Sequence, residues 1–165
     1  MMPSTPTSLT VAAGISIVAS GWAAGMGTGL SVFGIPTILN GGASSEVMVR
    51  QWRFQFHRGT AIMPGLGVLN AVNYWTVAYR CWSRGLEWRG FAAAGVSTFF
   101  MVPFTLAFIM GINSRLLAAA AEGREKATLS DDSARSLIKR WGDLNVVRAV
   151  VPIVGTGLAL WNLSL

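Results

Sequence analysis

The sequence predicts an all-α protein, an integral membrane bundle of four helices, on three observations. Of 165 residues, 52% are hydrophobic and only 12% charged, where a soluble domain carries about 25% charged residues. The mean hydropathy is +0.50. The apolar residues are gathered into runs long enough to cross a bilayer, with Lys and Arg between them. A disordered tail and a collagen-like fibre are excluded, and with Cys81 as the single cysteine so is a disulfide scaffold. A soluble enzyme is disfavoured. The net charge of +6 does not point to nucleic acid, because the basic residues flank apolar runs and form no polar patch interleaved with aromatics. Cytoplasmic loops account for them.

The first span is expected over 10–39. Thr10 to Leu39 is apolar or small throughout, and Glu46 is the one charged group in residues 1–49. No Lys or Arg precedes the run, which argues for a retained helix and against a secretory leader, although Ala23 and Ala24 would suit a cleavage site. Gly21, Gly25 and Gly29 share one helical face, a pattern that lets a neighbouring backbone approach closely, within the chain or in a homo-oligomer. Pro36 and Asn40-Gly41-Gly42 end the segment.

The second span is expected over 59–80, after an amphipathic lead-in capped by Ser44 or Ser45. Arg50, Arg53, His57 and Arg58 bring the chain to the membrane surface, and Pro64 is placed to kink the helix. Trp52, Phe54 and Phe56 at one end, with Tyr74, Trp75, Tyr79 and Trp82 at the other, suit interfacial belts. A polar loop then leads to the third span, 91–113, which contains Pro103. Residues 117–130 read as the one hydrophilic connection. Ser130, Asp131 and Asp132 form a helix start, with acidic groups where the dipole favours them. Helical spacing continues through Leu137, Trp141, Leu144 and Arg148 into the last span, 145–165. Residues 1–165 thus form one domain without an internal repeat.

Four crossings place both termini and the middle loop on one side. That side holds three of the basic residues, Arg80, Arg84 and Arg89, and the first and third loops hold the other ten. Those two loops are expected in the cytosol.

Polar groups inside spans are costly and face the bundle interior. Trp141, Asn145 and Arg148 share a face of the last helix, and Thr105, Ile109 and Asn113 share a face of the third. His57 lies near the start of the second helix, with Asn70, Asn73 and Tyr74 deeper. Each also has a structural reading: Asn113 and Asn145 as interhelical hydrogen-bonding groups, Arg148 as a snorkelling side chain, Trp141 as an interface anchor. One His, one Cys and no carboxylate within an apolar run leave no metal-ligand set. There is no phosphate-binding glycine loop, and no second histidine or buried acid to activate a serine.

Arg140-Trp141-Gly142-Asp143-Leu144-Asn145-Val146-Val147-Arg148, ahead of an apolar run, resembles the W-x-x-L-N-x-V-R signature of the fungal anthrone oxygenase family. Pro103-Phe104-Thr105, Met110 and Asn113-Ser114-Arg115-Leu116 are similar to its P-F-T…M-x-x-N-x-x-L segment, with Gly111 where a proline is common. Gln51-Trp52, Gly59, Pro64, Tyr74 and Tyr79 resemble its second-helix pattern, so the likeness runs along the whole chain in order.

The resemblance implies a small four-helix membrane protein of aromatic polyketide pathways, in a fungal endomembrane such as the endoplasmic reticulum or a vesicle. It implies oxidation of an anthrone, such as emodin anthrone, to the anthraquinone by dioxygen, with no cofactor. Removing a proton from the anthrone methylene gives an electron-rich anthrolate that passes an electron to oxygen. The protein then needs a base, a cation or donor for the oxyanion, and a dry aromatic slot. In this reading His57 is the base, Arg148 with Asn145 stabilises the anthrolate oxygen, and Asn113 orients substrate or peroxide. Trp141, Trp52 and Tyr74 stack on the tricycle, and Thr105 completes the substrate contacts. The expected partners are an aromatic substrate, dioxygen and lipid, with no nucleic acid. Two other classes fit the composition: a carrier or scaffold for a hydrophobic intermediate, and an oxidoreductase supplied with haem, metal or quinone at a dimer interface.

Overall fold

The computed structural model describes residues 6–121 and 129–164. Four long helices follow one another: α1, Thr7–Asn40; α2, Ser45–Trp82; α3, Arg89–Ala121; and α4, Asp131–Leu163. The described residues contain no strand. Short connections join α1 to α2 and α2 to α3, and each turns on a glycine in the left-handed region, Gly42 at φ +64° and Gly85 at φ +69°. The helices alternate in direction. α1 packs on α2 and α4, α3 packs on the same two, and α2 meets α4 across the bundle.

Local chemistry sets the ends. The Ser130 Oγ accepts the Ser133 N–H at 3.3 Å and caps α4. α1 stops at Asn40, before Gly41-Gly42, as its composition requires. The amphipathic lead-in and the second span form one continuous helix, as their sequence suggests, and it runs through Pro64. The hydrophilic connection expected over 117–130 is helical through Ala121, and 122–128 lie outside the described residues. α1 and α3 each contain one wide π turn, Leu30–Gly34 and Thr105–Ile109. Each turn lies beside a proline, Pro36 or Pro103, whose missing N–H already interrupts the regular ladder.

α1, α3 and α4 are each long and apolar enough to cross a membrane. α2 is as long but more polar, and its asparagines have a structural use. Asn70 Nδ2 donates to Ser16 O at 3.1 Å and Ser20 Oγ at 2.7 Å, while Asn73 Nδ2 donates to Ala12 O at 2.9 Å and Ser16 Oγ at 2.7 Å. Such bonds hold helices together where apolar surroundings offer no solvent alternative. Outward-facing Val11, Ile15, Val18, Leu69, Val96, Phe108, Val154 and Leu158 are exposed on all four helices, an apolar belt far beyond what an aqueous surface carries.

Two apolar clusters close the ends of the bundle. One gathers Trp52, Ile109, Leu116, Ile138 and Trp141, the other Tyr74, Val77, Cys81, Phe91 and Ala159. α3 and α4 approach most closely at glycines: a Cβ on Gly155 would lie 2.7 Å from Ser97 Cβ and 3.0 Å from Ala94 Cα. Gly21, Gly25 and Gly29, expected to mediate close packing, meet nothing within 4 Å. They lie on a face of α1 turned away from its neighbours, so packing within the chain does not use them.

Asp131 joins the starts of two helices. Its Oδ1 accepts the Ser45 N–H at 2.7 Å. That backbone bond, a second bond from the Ser45 side chain and the Arg135 charge hold its carboxyl below the ordinary carboxylate range. A depressed folded-state pKa means a contribution present above the unfolded value and lost as pH falls through the folded one. Asp131→Asn is therefore expected to melt lower than the parent near neutrality. The gap should close on acidification below the carboxylate range, as thermal melts in detergent at stepped pH would reveal; a gap that persists there refutes the link.

Candidate active site

Between the first half of α2, the second half of α1 and the middle of α4 lies a cavity of about 290 Å³. Phe54, Phe56, Ile62, Met63, Met101 and Trp141 give it apolar walls, while Gln55, Arg58, Asn145 and Arg148 bring polar groups to it. Its shape of chemistry is that of a small-molecule site, mostly apolar with a few convergent polar groups.

Arg148 is held by α3 directly and, through Asn145, by α1. Its Nη1 donates to Thr105 Oγ1 at 3.3 Å, and its Nη2 donates to Asn145 Oδ1. Asn145 is in turn fixed to α1, with Nδ2 donating to Gly27 O at 2.9 Å and Ser31 Oγ at 2.8 Å. Thr105 and Ser31 each sit in a π turn, a distortion that recurs at functional sites because it re-aims side chains. Among the described residues Arg148 makes no ion pair, and no carboxylate lines the cavity. A half-buried guanidinium without a counter-ion favours an anionic guest.

The aromatic wall is built in two layers. Trp141 lines the cavity, and its Nε1 donates to Asn113 Oδ1 at 2.9 Å. Trp52 stands behind it, edge-on to Trp141 with ring centroids 5.8 Å apart, and stacked on Phe56 at 4.9 Å. Asn113 and Trp52 thus reach the cavity only through Trp141 and Phe56.

Of the residues singled out from sequence, Arg148, Asn145 and Trp141 line the cavity together, with Thr105, Asn113 and Trp52 directly behind them. His57 and Tyr74 stand apart. His57 is exposed and off the cavity wall, its Nε2 accepting the Arg53 Nε–H at 3.3 Å, while Arg53 also donates to Ala120 O at 3.0 Å. Tyr74 is fully buried in the far cluster, its hydroxyl 3.4 Å from Ser20 Oγ. Cys81, the last residue but one of α2, is buried in the same cluster.

Sequence reading missed Gln55, Met63 and Met101. Gln55 belongs to the cavity wall, and its Oε1, beside Gly34 of α1, is buried without a hydrogen-bond partner among the described residues. Its position four and eight residues before Gly59 and Met63 places all three on one stripe of α2, and that stripe was the available signal.

The fold and site define a membrane-type helical bundle whose apolar aromatic slot ends on an unpaired, rigidly held cation, suited to a flat ring system carrying negative charge. Residues 52–158 match the family model described as anthrone oxygenase. The chain belongs to the anthrone oxygenase family and is an oxygenase. It is 31% identical over 137 residues to anthrone oxygenase ptaC of Pestalotiopsis fici, covering 80% of this chain and 96% of that one. It is 32% identical over 126 residues to monooxygenase hypC of Dothistroma septosporum, covering 76% and 68%. A noranthrone monooxygenase of Aspergillus flavus is 26% identical over 147 residues, covering 88% and 70%. No solved structure matches the chain.

Proposed function

We propose that this oxygenase converts an anthrone to the anthraquinone with dioxygen, in a bilayer that its four helices span over roughly the segments 10–39, 59–80, 91–113 and 145–165. The unpaired Arg148 guanidinium at the apolar cavity carries this reading. An anthrone enters neutral and becomes an oxyanion once its methylene proton leaves. A cation fixed beforehand by Thr105 and Asn145 therefore holds the anthrolate more strongly than the substrate, which is where catalytic stabilisation arises.

Trp141 and Phe56 supply the aromatic faces for the tricycle. In this reading the proton leaves to water at the mouth beside Arg58, because His57 is exposed and does not line the cavity. Asn113 acts by fixing the Trp141 indole. The cationic ends of the first and third connections face the cytosol, which leaves the opposite end in the lumen or outside.

The test is oxygen uptake with emodin anthrone and purified protein in detergent, against a protein-free control because anthrones oxidise spontaneously. A clear increment supports the reading. Binding without an increment turns the protein into a carrier.

Gln55 extends the reading to the substrate's substituents. Its orphaned Oε1 is suited to accept a phenolic O–H, and an unmatched polar group in a dry site discriminates strongly between hydroxylated and bare analogues. Gln55→Leu is expected to cost about ten- to hundredfold in kcat/KM for emodin anthrone and little for unsubstituted anthrone. Equal losses on both substrates would remove Gln55 from substrate recognition.

A further inference from the structure

A second, smaller cavity of about 60 Å³ adjoins the first. The two share Gly27, Met63, Met101, Asn145 and Arg148. These come from α1, α2, α3 and α4, so all four helices contribute to the partition between the cavities. The small cavity is too small for a tricycle and admits a diatomic gas or a few waters. Its remaining wall is mostly apolar, with Ala23, Ala24, Leu66 and Ala149. Ser20 and Asn70 also line it and satisfy each other, Asn70 Nδ2 donating to Ser20 Oγ at 2.7 Å, which leaves one further polar side chain to account for. Thr98 lines the cavity, is 4% exposed, and its Oγ1 has no hydrogen-bond partner. A helical threonine ordinarily returns its hydroxyl to the carbonyl one turn back, as Thr60, Thr76, Thr105 and Thr156 do here.

We propose that this cavity is the dioxygen site: it takes the neutral gas on its apolar wall and holds the reduced oxygen species between the Thr98 hydroxyl and the Arg148 cation. The inference rests on the oxygenase reading of the larger cavity. An anthrolate carbon is planar and is attacked through its π face. A tricycle lying flat on the shared partition turns that face toward the small cavity, with Met63 and Met101, unbranched and easily moved, between them. The anthrolate gives one electron to dioxygen, leaving a carbon radical and superoxide, and the two combine to form the C–O bond. The peroxide takes up a proton equivalent to the one removed first. Loss of the second methylene proton with cleavage of the O–O bond expels hydroxide, which leaves with that proton as water. No outside reductant is needed. Arg148 lines both cavities, so one cation stabilises the oxyanion of the first step and the superoxide of the second.

Steady-state kinetics at varied oxygen tension test this on the full-length protein. Ala24→Val, which fills the small cavity, is expected to raise the KM for oxygen severalfold while the KM for emodin anthrone stays within a factor of two. Thr98→Val, equal in shape but without the hydroxyl, is expected to lower kcat with little change in anthrone binding. Wild-type oxygen dependence in a folded Ala24→Val protein overturns the proposal. So does a rise in both KM values together, which marks the cavity as packing or a water site. If Ala24→Val does not fold, xenon over the wild-type protein replaces it: inhibition competitive with oxygen sustains the proposal, and none overturns it. A wild-type protein with no anthrone-dependent uptake instead defeats the oxygenase reading itself.

Discussion

Arg148→Gln is expected to lower kcat for emodin anthrone by about 10²–10³, the usual loss when a fixed donor to a developing oxyanion is removed. The substrate's KM should change far less, because the neutral ketone gains little from the cation before its proton leaves. Glutamine keeps a hydrogen-bond donor and loses the charge, so the comparison isolates the cation. Arg148→Lys restores charge without the planar fork that reaches Thr105 and Asn145 together and should recover only part of the rate. Asn145→Ala leaves the guanidinium present but releases its tether to Gly27 and Ser31, and its rate should fall between the two. His57→Ala, on an exposed surface, serves as the control and should keep turnover near wild type. Near-wild-type kcat in folded Arg148→Gln would remove the oxyanion role.

The folded form of Arg148→Gln is itself informative about why the residue is there. A cation among apolar walls is costly without a partner, and here its neighbours are neutral: a threonine hydroxyl and an asparagine carbonyl. Removing the charge should therefore leave stability unchanged or slightly raised, while activity falls. A substitution that helps the fold and harms the reaction is what a site strained for function predicts.

All four helices were legible, three of them because they carry the long apolar runs that a membrane crossing requires, and the glycines after Asn40 and the Ser130-Asp131-Asp132 start were legible because backbone groups at helix ends need those residues. α2 was harder to read. Pro64 and four basic groups interrupt its hydropathy, yet neither stops a helix whose neighbours hold it in place; the loss is one backbone hydrogen bond. Trp141, Asn145 and Arg148 were recoverable because one helix carries all three at positions that share a face. Gln55 and His57 show where that logic ends. Two residues apart on a helix lie about 200° around its axis; Phe54, Gln55, Phe56 and Arg58 all reach the cavity, and His57 alone of this stretch does not. The sequence R-F-Q-F-H-R surrounds both with similar neighbours, and only the rotation of α2 against α1 and α4 decides between them. The small cavity was equally hidden, since its wall mixes small and apolar residues with a few polar ones, contributed by four separate helices.

Trp52→Ala is expected to destabilise the fold by about 3–5 kcal/mol, as truncation of a buried tryptophan commonly does. The side chain is 0% exposed and belongs to the apolar cluster that closes this end of the bundle. It also backs both aromatic walls, stacking on Phe56 and meeting Trp141 edge-on. Its Nε1 is buried without a partner, so the indole contributes through shape and surface alone. Trp52→Phe keeps an aromatic ring in that space and removes the orphaned donor. It should stay within about 1 kcal/mol of the parent, since loss of an unsatisfied polar group offsets part of the lost packing. Thermal melts in detergent separate the two variants, and the anthrone KM tests the second layer: with Trp52→Ala, Phe56 and Trp141 lose their support and the KM should rise well above that of Trp52→Phe. If both variants melt together near the parent, the packing account of this wall is wrong; if Trp52→Ala melts low but binds anthrone as the parent does, the indole supports the fold without shaping the slot.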